Sequence, residues 1–139
     1  MIRLIFGFSK PKKSIPGVVL AGEVEAVGGS VTRFKAGDRV FGSSGMAFGT
    51  HAEYVALPED AVLALKPEKI SYEEAAAIPF GATAAMHFLR LANIQAGHRV
   101  LVYGASGALG TIGIQLARNF GAEVTAVCSA GNFELVKSL

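Results

Sequence analysis

Between Arg99 and Ser129 the chain reads RVLVYGASGALGTIGIQLARNFGAEVTAVCS, two apolar runs joined through a glycine turn and an amphipathic stretch with no polar loop between them. Arg99 to Tyr103 is short, apolar and β-branched, the composition of a buried strand. Gly104 to Gly110 follows as a turn, and Ile112, Leu116 and Phe120 then recur at helical spacing, with Ile114 and Ala117 beside them. Gly121 stands where a helix ends in a left-handed residue, and Glu123 to Cys128 is a second strand. Strand, glycine turn, helix, strand is the order of a dinucleotide-binding unit. A diphosphate must come close to backbone N–H groups at the positive end of a helix, and side chains there would hold it away. Gly107 permits that approach, Gly110 permits close packing of helix on strand, and Ser106 adds a hydroxyl donor. The strict G-x-G-x-x-G is not met, because Ala105 replaces its first glycine, so an ordinary βαβ turn is the competing reading.

The end of the second strand bears on which nucleotide is taken. A site for NAD usually places Asp or Glu there to bond the ribose 2′-hydroxyl. This chain has Val127-Cys128-Ser129-Ala130-Gly131, which offers no carboxylate to repel a 2′-phosphate and one serine to donate to it. NADP(H) is therefore favoured over NAD(H), although no Arg or Lys adjoins Ser129 and Lys137 lies further on. A serine that merely precedes a helix is the alternative for Ser129.

Composition narrows the class. Of 139 residues, 51% are hydrophobic and 17% charged, which supplies a core and excludes a disordered chain. The net charge of +2 is too small for a nucleic-acid surface, and Lys10, Lys12 and Lys13 read as a solvated turn. Cys128 is the single cysteine, which excludes an internal disulfide or a cysteine-built metal site and fits a reducing cytoplasm. Its place in an expected buried strand makes it packing. Val100 to Ala117 has no formal charge, but four glycines, two hydroxyl residues and a glutamine interrupt it, against a membrane span. Met1 to Phe8 is apolar, and its lysines follow rather than precede, unlike a signal peptide.

Upstream, Val18–Val27, Val31–Phe34, Arg39–Phe41, His51–Leu57 and Val62–Leu65 read as short strands between turns, the pattern of a small barrel or sandwich. The pattern shifts near Pro67. Ser71-Tyr72-Glu73-Glu74 is a capping box that opens a helix through Ile78, Pro79 stops it, and a second helix covers about 82–92. A final helix begins at Phe133.

The segments PGVVLAGEVEAVGGSVTRFKAGDRVFG, GTHAEYVALPED, EEAAAIPFGATAAMHFL and VLVYGASGALGTIGIQLA, in this order and spacing, resemble the zinc-independent medium-chain dehydrogenases/reductases, in their NADPH:quinone oxidoreductase branch. The resemblance implies an α/β chain with a partial GroES-like β-rich domain over 1–70. It places the first βαβ part of a Rossmann domain over 71–139, with the cofactor held between the two. It carries cofactor binding to Thr83, Ser106, Gly107, Ala108, Leu109, Gly110 and Ser129, with Thr83 near the nicotinamide; a helix-start cap is the alternative for Thr83. Zinc-dependent relatives have Gly-His-Glu where this chain has Gly17-Val18-Val19, and valine cannot ligate zinc. His51, His87 and His98 lack partners at ligand spacing, so no zinc or other metal is expected.

Such relatives begin before this Met1 and continue past Leu139, so the chain reads as a truncated oxidoreductase. The implied activity is hydride transfer from NADPH to a quinone or enone. Tyr54 and Tyr103 are proton-donor candidates by type only, since both fall on expected strands and read as core, and the catalytic residues stay unassigned. The alternatives are a non-catalytic nucleotide-binding or self-assembling module, and a piece of an enoyl-reductase domain. An incomplete parallel sheet with open edges predicts a homo-oligomer that covers them.

Overall fold

The computed structural model describes residues 13–139, and the apolar run 1–8 with Lys10 and Lys12 lies outside them. Lys13 is described, and it is exposed in a bend. Its ammonium donates to Met46 O at 3.0 Å and Ala47 O at 2.7 Å, holding a 3-10 turn over Gly45–Ala47. The chain divides into two compact units, one up to Ala76 and one from Ala77.

In the first unit β1 (Val19–Glu23), β2 (Arg39–Ser43) and β3 (Val62–Leu65) form an antiparallel sheet in the order β1-β2-β3. Val40, buried in β2, stands opposite Gly22 on one side and Leu65 on the other. The expected strands over 31–34 and 51–57 are absent. Thr32 N and Arg33 N both donate to the Glu59 carboxylate, so the donors a ladder needs are already used. His51 N donates to Pro16 O at 3.0 Å and Thr50 N to Gly17 O at 3.5 Å, and the segment forms no strand.

The helix that follows starts as its sequence dictates. Ser71 N donates to Glu74 Oε2 at 2.8 Å and Glu74 N donates to Ser71 Oγ at 3.1 Å, the reciprocal capping box. Pro79 does not stop it: α1 runs unbroken through Tyr72–Leu91 with the proline inside. Proline removes one N–H and crowds the carbonyl four residues back. That carbonyl belongs to Ala75, and Ala75, Ala76 and Ala77 before the ring are all small. The single helix replaces the two expected from the proline.

In the second unit β4 (Arg99–Tyr103) and β5 (Glu123–Val127) pair in parallel, Arg99 opposite Glu123 and Tyr103 opposite Val127. The crossover between them is α2 (Ala108–Asn119), which buries Ile114 and Ala117 beside Ala105 and Ala122. Gly121, at φ +80°, ends α2: Ala122 N reaches back to Ala117 O at 3.0 Å and Gly121 N to Arg118 O at 2.9 Å. A 3-10 turn (Ala130–Asn132) leads into α3 (Phe133–Lys137). β4 is not the fully covered strand its composition predicts. Val100 and Val102 are half-buried, whereas Leu101 is 67% and Tyr103 85% exposed, because among the described residues helix packs on one face only. Tyr54 is also exposed, so neither tyrosine is core. Among the described residues no helix is long and apolar enough to cross a membrane.

The described fold is thus α/β, a GroES-like β sheet followed by the start of a Rossmann-like βαβ unit.

Candidate functional site

The turn from β4 into α2 is fixed at its root by two backbone bonds. Gly104 N and Ala105 N both donate to Val127 O at 3.0 Å, which ties the turn to the end of β5. Gly104 takes φ +75°, a conformation open to glycine at little cost, and turns the chain from strand to helix. Gly107 is the N-cap of α2 with extended backbone and no side chain to cap the helix. The first turn therefore leaves the N–H groups of Ala108, Leu109 and Gly110 with no acceptor among the described residues. A methyl carbon on Gly110 would lie 2.4 Å from Gly104 O, so only glycine allows helix and turn to close up this far. At Gly107 the same atom would meet only Gly104 O, at 3.4 Å, so that position is open on its outer side.

Three polar side chains meet beside this turn. Asn132 Nδ2 donates to Ser106 Oγ at 3.0 Å and to Ser129 Oγ at 3.1 Å. Ser106 belongs to the turn and Ser129 follows β5, so one amide joins two serines that are far apart in sequence. Asn132 escapes a reading that looks for glycines and carboxylates. Its local signal is the Ser129-x-x-Asn132 spacing, which brings the two side chains together across a single turn. No carboxylate stands at the end of β5, and Lys137 is engaged by Glu134 at 3.2 Å on the surface of α3.

Thr83 lies inside α1, so it is not a helix-start cap. Its hydroxyl donates to Pro79 O at 2.6 Å, and it lines a shallow groove with Met86, His87, Arg90 and Leu91. Gly81, two residues before it, was not among the expected site residues. A methyl carbon there would lie 2.7 Å from Ala108 O and 2.7 Å from Ile112 Cδ1, so glycine lets α1 rest against the first turn of α2. A glycine within a helix costs stability and commonly marks such a contact. The structure therefore gathers Ser106 to Gly110 and Ser129 at one end of the βαβ unit, with α1 against it.

These residues fit a dinucleotide. The orphan N–H groups suit a diphosphate, the position at Gly107 gives it access, and two hydroxyls flank it. Of the histidines, His51 follows β2, His87 is on α1 and His98 precedes β4, and among the described residues no three His, Cys, Asp or Glu side chains group as a metal site would need.

Residues 3–67 match the alcohol dehydrogenase GroES-like domain. The chain is similar to a 2-methylene-furan-3-one reductase of Solanum lycopersicum, 41% identical over 138 residues, which cover 93% of this chain and 35% of that protein. It is similar to a quinone oxidoreductase of Pongo abelii, 45% identical over 111 residues, 78% of this chain and 33% of the other. It superposes on an alcohol dehydrogenase superfamily protein from Novosphingobium aromaticivorans with a TM-score of 0.84 and 35% identity, covering 92% of this chain and 40% of that one. The chain spans about a third of the length of the curated relatives it matches. Domain match, relatives and superposition agree with the glycine turn and its βαβ frame, and together they support a medium-chain dehydrogenase/reductase.

Proposed function

We infer that the chain is part of an NADPH-dependent oxidoreductase that delivers hydride to a quinone or an enone without the help of zinc. The observation that carries this reading is the first turn of α2, whose three N–H groups have no acceptor among the described residues, behind an N-cap glycine. Ala108, Leu109 and Gly110 would hold the diphosphate through those groups, with Ser106 beside them. Ser129, at a strand end whose sequence carries no carboxylate, would donate to the 2′-phosphate. Thr83 commits its proton to Pro79 O and so presents an oxygen that can accept a carboxamide N–H of the nicotinamide. The bound dinucleotide supplies the hydride from nicotinamide C4, and the chain supplies orientation.

The substrate class rests on the relatives. One is named for a quinone and one for 2-methylene-furan-3-one, a carbon–carbon double bond conjugated to a ketone. Val18 and Val19 have no ligand atoms, which supports chemistry without zinc. The lone Cys128 supports a cytoplasmic setting. The exposed Leu101 and Tyr103 favour a second reading, a self-associating nucleotide-binding module without turnover.

Calorimetric titration with NADPH and NADH tests the nucleotide site, and consumption of NADPH with a model quinone tests the chemistry. Tight NADPH binding with turnover supports the oxidoreductase, binding without turnover supports the module, and no binding of either nucleotide overturns both.

A further inference from the structure

A serine hydroxyl has one proton to give and two lone pairs to receive with, and a primary amide has two N–H donors. At the end of this βαβ unit the amide of Asn132 spends its donors on Ser106 Oγ (3.0 Å) and Ser129 Oγ (3.1 Å). Each oxygen is thereby fixed as an acceptor toward Asn132, and each hydroxyl proton points to some other partner. No acceptor for either proton occurs among the described residues. The pair is thus set to donate, and among the described residues no carboxylate is hydrogen-bonded to either hydroxyl. A phosphate oxygen accepts and never donates, whereas a ribose 2′-hydroxyl both gives and takes. An asparagine that locks neighbouring hydroxyls as donors discriminates between them.

We propose that Asn132 sets the nucleotide preference of this site, acting through Ser129 to favour a 2′-phosphomonoester over a 2′-hydroxyl and through Ser106 to orient a donor toward the diphosphate common to both nucleotides. The inference rests on the nucleotide reading above and adds a residue and a mechanism to it. Asn132 is a positioning residue, since it meets the ligand only through the serines. Its side chain is half-buried beside the turn, held where a surface amide would be free to rotate. Without it the Ser129 hydroxyl turns freely and its donor direction is lost.

The test is a double-substitution cycle on the 139-residue chain, read by calorimetric dissociation constants for NADPH and NADH. Asn132→Leu keeps the branched shape and removes both donors. It lowers the preference for NADPH over NADH by about tenfold, the scale of one hydrogen bond to a charged group. Ser129→Ala lowers the preference to a similar extent, and Asn132→Leu added to Ser129→Ala lowers it no further. Ser106→Ala weakens both nucleotides alike and leaves their ratio in place. Asn132→Asp, which accepts protons from both hydroxyls, moves the preference toward NADH beyond Asn132→Leu and carries the test if the leucine variant does not fold. Melting of the unliganded variants checks folding. An unchanged ratio in both Asn132 variants overturns the proposal while the nucleotide reading stands. So does an equal further drop when Asn132→Leu is added to Ser129→Ala. A parent chain that binds neither nucleotide overturns the nucleotide reading and this inference with it.

Discussion

Gly110 and Gly107 sit in the same turn and make opposite demands. A methyl carbon on Gly110 would press on Gly104 O at 2.4 Å and on Ala105 Cα at 2.8 Å, both of them backbone that cannot give way. Gly110→Ala is expected to cost about 1–3 kcal/mol, the usual range for overpacking, read as a lower urea midpoint. At Gly107 the added carbon meets only an ordinary contact, so Gly107→Ala leaves the urea midpoint near that of the parent while it blocks the outer side of the turn. NADPH titration of that variant is expected to show binding weakened at least tenfold. Equal loss of stability in both variants would show that the turn is packing and not a ligand seat. Glu59 makes a separate point. Backbone N–H bonds from Arg33 first and Thr32 second hold its carboxyl below the ordinary glutamate value of 4.5, with the Thr32 hydroxyl adding at 3.2 Å. A depressed folded-state pKa gives stability that is present above the unfolded value and lost as pH falls through the folded one. Thermal melts from pH 6 down to pH 3 are expected to fall more steeply for the parent than for Glu59→Gln, which has no proton to take up there.

Element boundaries were legible where the signals are local. β4 runs over Arg99–Tyr103 as its β-branched composition predicts, and α2 ends at the glycine that its last turn requires. The capping box at Ser71 and Glu74 is closed in both directions. Ser71→Ala removes one half of it and is expected to cost about 1 kcal/mol, measured as a shift in chemical denaturation. The misread segments are those decided at a distance. Residues 31–34 look like a strand until Glu59, far along the chain, takes the two backbone donors at Thr32 and Arg33. Pro79 looks like a stop until the alanines before it leave room for its ring within α1. In the site, the glycines were legible because backbone approach demands them. Asn132 and Gly81 were not, because their roles depend on Ser106 and on Ala108, partners that only the fold brings near.

At the scale of the whole molecule, apolar content and burial do not match. Hydrophobic residues are 51% of the sequence, yet in the second unit the buried apolar residues are Ile114 and four alanines. The larger apolar side chains remain outside: Leu101 and Tyr103 on the open face of β4, and Phe80, Phe88 and Leu91 along α1. A groove of about 580 Å³ between α2, β5 and α3 adds Val124, Cys128 and Phe133 to this surface, so Cys128 lines a cleft and is not packed in a core. Among the described residues the sheet has an unpaired edge on each of its two strands. Edges and apolar faces of this kind drive chains together unless something covers them. The 139-residue chain is therefore expected to form a homo-oligomer, and multi-angle light scattering at micromolar concentration is the measurement. Replacing both Leu101 and Tyr103 by Lys puts two like charges two residues apart on one face of β4, which opposes any second apolar surface there. That variant is expected to run as a monomer with its circular dichroism unchanged, because neither side chain contributes to the core under α2. A parent chain that is already monomeric would mean that its exposed strand face is tolerated in water. An oligomer that survives both lysines would place the contact elsewhere, with the groove beside β5 as the next surface to test.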